Sequence, residues 1–152
     1  MEIASSPVYV DTSALAKLYV PEPWSDELEA ALVGRRDVVV SELAVTELTA
    51  ALARRVRDGE VSPTDARRIY QRVLRDFTSG EFRRGELTAG AHREAERLLL
   101  AVGQRTVLRA ADALHLALAG LLGARVLMTF DKRMSAAAEA LGTLELPAMK
   151  LV

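Results

Sequence analysis

The feature that most constrains this chain is a strand that ends in an acid. Val8-Tyr9-Val10 is a run of β-favouring residues, and Asp11-Thr12-Ser13 hands over to a helical pattern through Ala14, Leu15 and Leu18. An apolar run without polar alternation belongs inside a parallel sheet, covered on both faces. Open α/β sheets place their ligands at the carboxyl ends of such strands, and Asp11 falls there. The pattern recurs: Val38-Val39-Val40 runs into Ser41 and a helix, and Val126-Leu127-Met128-Thr129-Phe130 delivers Asp131.

Between these strands the spacing predicts helices. One covers 12–20 and is stopped by Pro21-Glu22-Pro23; Ser25 caps a second through about Leu32. Ser41 opens a third, to Arg57, and Ser62-Pro63 opens a fourth, to about Phe77, together a helical hairpin. A short edge strand is expected around 81–83. Thr88 begins a helix that Gly103 ends, 110–122 is a helix apolar on nearly every side, and a helix over 135–141 precedes a last strand near 144–146. Alternating strands and helices with short connections imply parallel βαβ units, hence an α/β fold. The 152 residues suit one domain, 1–152, and no repeat or linker divides them.

Composition narrows the chemistry. No apolar run approaches the roughly 20 residues of a membrane span, and the first residues lack the pattern of a signal peptide, so a cytoplasmic protein is expected. The chain has no Cys, hence no thiolate metal site, and its net charge of −1 advertises no global field for a polyanion. Arg54, Arg55, Arg57, Arg67, Arg68, Arg72 and Arg75 stud the hairpin, either as a solvated face or as a surface for RNA or a partner.

Four acids stand out. Asp11 and Asp131 follow strands directly; either could be only a helix cap, but adjacent strands would bring both into one crevice. Asp112 lies in the first turn of an apolar helix, beside Leu108, Leu116 and Ala119. The helix dipole stabilises an acid there by only about 0.3–1 kcal/mol. Burying an unpaired carboxylate costs several times that, so Asp112 has either a partner, for which Arg109 is placed, or a function. Glu47 sits at the border of its helix's apolar stripe, near the same sheet edge. The two histidines, His92 and His115, fall on different helices, and His115 reads as a packing or surface residue. An all-oxygen set of this kind selects Mg²⁺ or Mn²⁺, which can activate water and neutralise charge on a phosphodiester; four carboxylates converging without such an ion would repel one another.

These residues resemble a known family, the PIN-domain ribonucleases, and within it the VapC-type toxins. Asp11-Thr12-Ser13-Ala14-Leu15 with Tyr19, Glu22 and Ser25 is similar to the family's opening motif. Ser41-Glu42-Leu43 through Glu47-Leu48 is similar to its second, Leu108 to Ala117 around Asp112 to its third, and Thr129-Phe130-Asp131 to its fourth. The resemblance spans essentially the whole chain. It implies a parallel sheet of about five strands with helices on both faces and a metal-dependent endoribonuclease. Asp11, Glu47, Asp112 and Asp131 would form the acidic, metal-holding site, with Ser13 and Thr129 beside it. Apart from the resemblance, Arg109, next to that pocket, is expected to contact RNA phosphate, since a net charge near zero needs local attraction. The resemblance further implies a small antitoxin as partner and pairing as a homodimer. Met134 stands where the family usually has an aromatic residue, a difference of packing. A phosphotransferase with Asp11 as nucleophile would want a second Asp where this chain has Ser13. A housekeeping RNA-processing nuclease and a catalytically silent binding module are the remaining alternatives.

Overall fold

The computed structural model describes residues 6–147. Its elements follow as β1 (Val8–Val10), α1 (Thr12–Tyr19), α2 (Ser25–Leu32), β2 (Val38–Ser41), α3 (Glu42–Arg57), α4 (Pro63–Ser79), β3 (Arg83–Gly85), α5 (Ala89–Ala101), α6 (Ala110–Leu121), β4 (Val126–Met128) and α7 (Lys132–Leu141). The strands form one parallel sheet in the order β3-β2-β1-β4. β1 is central: Val8 pairs with Val38 on one side and Val126 on the other. Strand alternation then divides the core. Val8, Val10, Val38, Val40, Val126 and Met128 pack under α1, α2, α3 and α4, whereas Tyr9, Val39 and Leu127 face α5, α6 and α7. Helices on both faces explain why these strands are apolar throughout, and among the described residues no helix is long and apolar enough to cross a membrane.

Several elements depart from the sequence expectation for local reasons. The sheet has four strands where about five were expected. Near 144–146 only Glu145 bridges Val126, and Pro147, lacking an N–H, follows two residues later. The edge strand lies at Arg83–Gly85 rather than 81–83, and ends in the residue that can approach β2. A Cβ on Gly85 would stand 3.3 Å from Ser41 Cα and 2.9 Å from Leu122 Cδ1. β4 stops at Met128, because the Phe130 N–H leaves the ladder to donate to Ser13 Oγ at 2.8 Å. α7 starts at Lys132 instead of 135, since Asp131 accepts from the N–H groups of Arg133 and Met134. Ser25 is not a cap. Trp24, in a left-handed conformation with φ 76°, occupies that position, while Ser25 Oγ accepts from the Glu22 N–H and folds the Pro21–Pro23 turn. Met134, on α7, is buried in the core on the Tyr9 face of the sheet, so its departure from an aromatic is absorbed in packing.

The hairpin arginines are partly used internally. Arg55 bonds Glu22, Arg68 pairs with Asp65 at 3.1 Å, and Arg72 lies 5.5 Å above the Tyr19 ring. Arg54 remains exposed on α3.

Ser41 joins β2 to α3 and is fully buried, its Oγ accepting from the Ala44 N–H at 3.0 Å. Ser41→Ala should lower unfolding stability by about 1 kcal/mol, the usual worth of a side-chain cap. Urea denaturation with an unchanged m-value checks this.

Candidate active site

Three of the four acids singled out above sit at helix N-termini on the carboxyl edge of the sheet. Asp11 caps α1: Oδ1 accepts from the Ala14 N–H at 3.0 Å and the Ser13 hydroxyl at 2.7 Å, while Oδ2 accepts from the Thr129 hydroxyl at 2.5 Å. Asp131 caps α7, Oδ1 accepting from Arg133 at 2.7 Å and Met134 at 3.2 Å. Asp112 occupies the third position of α6 and turns back on the Arg109 N–H at 3.2 Å. Capping and proximity to the sheet edge therefore coincide in the same side chains: Asp11 and Asp131 follow strands β1 and β4, and Asp112 lies in the first turn of α6, which runs back across the sheet before β4 begins.

The acids are tied to one another by neutral and cationic donors. Thr129 Oγ1, which donates to Asp11, also accepts from the Asp131 N–H at 3.1 Å, and Ser13 Oγ lies 3.4 Å from it. Arg109 is the link on the other side. Its Nε and Nη2 fork onto Asp112 at 3.0 and 3.1 Å, and Nη2 also reaches Asp131 Oδ2 at 3.2 Å. Asp112 is 3% exposed, and this guanidinium is the charge partner that its burial requires. The repulsion expected among four bare carboxylates is thereby reduced: a cation stands between two of them. Asp11 is instead governed by solvent exclusion. Burial pushes its carboxyl above the ordinary 3.8, against the opposing bonds from Thr129, Ala14 and Ser13.

Glu47, in the second turn of α3, is held differently. Burial raises its carboxyl, but the bonds from His115 and Thr12 outweigh this and leave it below the ordinary range. Both bonds fall on Oε1, from Thr12 Oγ1 at 2.8 Å and His115 Nε2 at 2.5 Å. His115 Nδ1 in turn lies 2.7 Å from the Tyr9 hydroxyl, and the imidazole is 3% exposed. His115 is thus neither a surface residue nor a simple packing residue. Tyr9, Thr12 and His115 escaped the sequence reading, although a signal existed: His115 follows Asp112 by three residues, which on a helix is the same face.

The residues singled out from sequence are therefore gathered at one sheet edge. Asp11, Asp112, Asp131, Ser13, Thr129 and Arg109 are joined by hydrogen bonds, and Glu47 joins through Thr12, next to Asp11 and Ser13. Glu47 and Asp131 also line a groove of about 320 Å³ with Thr12, Ser13, Arg54 and Arg55. Among the described residues no three carboxylate or imidazole groups are drawn together as a ready-made metal cage. The donor set is nevertheless hard, carboxylate oxygens with no thiolate, which is the chemistry that suits Mg²⁺ or Mn²⁺.

Comparison with known proteins agrees with this geometry. The PIN domain model matches residues 8–140. The chain is 36% identical over 143 residues to ribonuclease VapC46 of Mycobacterium tuberculosis, covering 89% of this chain and 92% of that one. It is 35% identical over 146 residues to ribonuclease VapC45 of the same species, covering 93% and 95%. Among solved structures, VapC20 of Mycobacterium tuberculosis, a toxin that cleaves the sarcin–ricin loop, superposes with a TM-score of 0.66 at 23% identity, covering 86% of this chain and 94% of that one. FitAcB of Neisseria gonorrhoeae does so with 0.66 at 17%, covering 91% and 95%. At these identities the two structures speak for the fold alone.

The raised carboxyl of Asp11 has a signed consequence. An acid whose folded value exceeds its unfolded one favours the folded state least when ionised, so its penalty sets in as pH rises through the unfolded value and levels off above the folded one. Asp11→Asn keeps acceptors for Ala14 and Ser13 without the charge. In EDTA, its stability relative to the parent chain should improve as pH rises from about 3 to 7. Chemical denaturation across that range measures the trend, and a flat difference would remove burial as the cause. Arg109→Gln should lower the melting temperature in the same buffer, by leaving Asp112 buried without its charge partner.

Proposed function

The chain belongs to the PIN-domain family, and from that premise we propose that it is an endoribonuclease, the VapC-type toxin of a toxin–antitoxin pair, working with Mg²⁺ or Mn²⁺. The observation that carries this reading is a buried carboxylate, Asp112, bonded at a sheet edge into a network with Asp131, in a chain 36% identical to a ribonuclease over most of its length.

Asp11, Asp112 and Asp131, with Glu47 directly or through water, would hold the ion. When bound, it supplies Lewis-acid neutralisation of the phosphodiester and acidifies a water. The protein's own groups perform the rest. Ser13 and Thr129 fix both oxygens of Asp11 by donating to them, and the α7 N-terminus fixes Oδ1 of Asp131 while leaving Oδ2 toward Arg109. Arg109 is half exposed, and its Nη1 bonds none of the described residues, which leaves a donor for a phosphate oxygen of the RNA. The groove leads from Glu47 and Asp131 to the exposed Arg54, where a single strand keeps its backbone near positive charge. A small antitoxin protein is the partner proposed for this toxin, and pairing as a homodimer, within the cytoplasm, is proposed with it.

Incubation of the purified protein with total RNA should give cleavage with Mg²⁺ or Mn²⁺ and none with EDTA. Asp112→Asn should abolish it while circular dichroism stays unchanged. In cells, the parent chain should arrest growth and Asp112→Asn should not. Cleavage retained by folded Asp112→Asn would overturn the site, and active protein that is harmless to its host would favour RNA processing over toxicity.

A further inference from the structure

Glu47 is the only one of the four acids that does not touch a helix N-terminus or Arg109, and its placement needs another cause. That cause runs across the sheet. Tyr9, at the middle of the central strand, points to the α6 side, where its hydroxyl meets Nδ1 of His115 at 2.7 Å. The two rings stand edge to face, centroids 5.8 Å apart at 72°, so the imidazole is held in rotation as well as in contact. The opposite nitrogen, Nε2, reaches Glu47 Oε1 on α3 at 2.5 Å, with Thr12 Oγ1 3.2 Å away. A carboxylate only accepts, so Nε2 carries a proton, and in the neutral ring Nδ1 then accepts from the phenol. Both contacts on Glu47 fall on Oε1; Oε2 takes no bond from the described residues, and Glu47 lines the groove.

We infer that Tyr9 and His115 are positioning residues for cleavage: the phenol anchors the imidazole in the orientation from which Nε2 grips one oxygen of Glu47 and keeps the other free for the groove. The inference rests on the ribonuclease reading for its kinetic consequence but not for its physical one. Without the phenol, Nδ1 loses its partner, the ring is free to turn away from Oε1, and the carboxylate is released. Neither Tyr9 nor His115 touches the RNA in this arrangement; each acts through Glu47.

The test uses Tyr9→Phe, which keeps the buried ring, together with His115→Leu and His115→Gln. The amide of Gln can still donate toward Oε1. With only two histidines in the chain, and His92 exposed on α5, the ¹⁵N signals of His115 can be assigned without ambiguity. The parent chain should show the tautomer protonated on Nε2. Tyr9→Phe should move the Nδ1 signal and shift the ¹³C carboxyl resonance of Glu47. On a defined RNA oligonucleotide, Tyr9→Phe and His115→Leu should lower kcat by about 10–100-fold, with KM little changed, and His115→Gln should recover part of the loss. In a Glu47→Gln background Tyr9→Phe should add nothing. A parent ring protonated on Nδ1 alone would overturn the inference. So would folded Tyr9→Phe with an unmoved Glu47 resonance, or an unchanged kcat. If the parent chain cleaves no RNA, the ribonuclease reading fails, while the two resonances still decide the pairing.

Discussion

The site depends on a coincidence of direction. In a parallel sheet every strand points its carboxyl end to the same edge, and a helix that follows at once begins there, with its unpaired N–H groups exposed to whatever side chain is at hand. An aspartate at that junction satisfies them, and in doing so is held rigidly at the edge. Asp11 and Asp131 do this for α1 and α7, and Asp112 does it from inside the first turn of α6. For Asp11 and Asp131, placing a carboxylate and ending a strand are one act. The sheet needs nothing more to gather acids that lie far apart in the chain, and helix dipoles offset part of the mutual repulsion.

That coincidence decides how much was legible. A strand, an acid and a helix in succession are local patterns, so Asp11 and Asp131 stand out from sequence, and both are helix caps at the sheet edge. Asp112 was legible through its misfit with an apolar helix. What escaped was decided across the sheet. Tyr9 reads as a core strand residue and His115 as a packing residue, because neither local pattern reveals that they face each other from β1 and α6. The end of β4 likewise depended on Ser13, from the opposite end of the chain, drawing Phe130 out of the ladder. Ser25 failed as a cap for a nearer reason: the two prolines before it bent the chain so that Trp24 took the position.

Charge in the site is balanced unevenly. Asp112 and Asp131 share a guanidinium, Glu47 leans on a hydroxyl and an imidazole, and Asp11 relies on hydroxyls and one amide while excluded from water. Asp11 is the acid whose ionised form burial disfavours, and Thr129 and Ser13 hold it in one orientation at the end of the central strand.

The order of the strands has a consequence for the newly made chain. The central strand is the first to be synthesised, but one of its neighbours, β4, is the last, and Thr129 is 118 positions from the Asp11 it bonds. While the ribosome is still making α5, Asp11 lacks the Thr129 hydroxyl that holds its Oδ2. An edge assembled this way waits on the pairing of β1 with β4, across the 118 positions that separate Asp11 from Thr129.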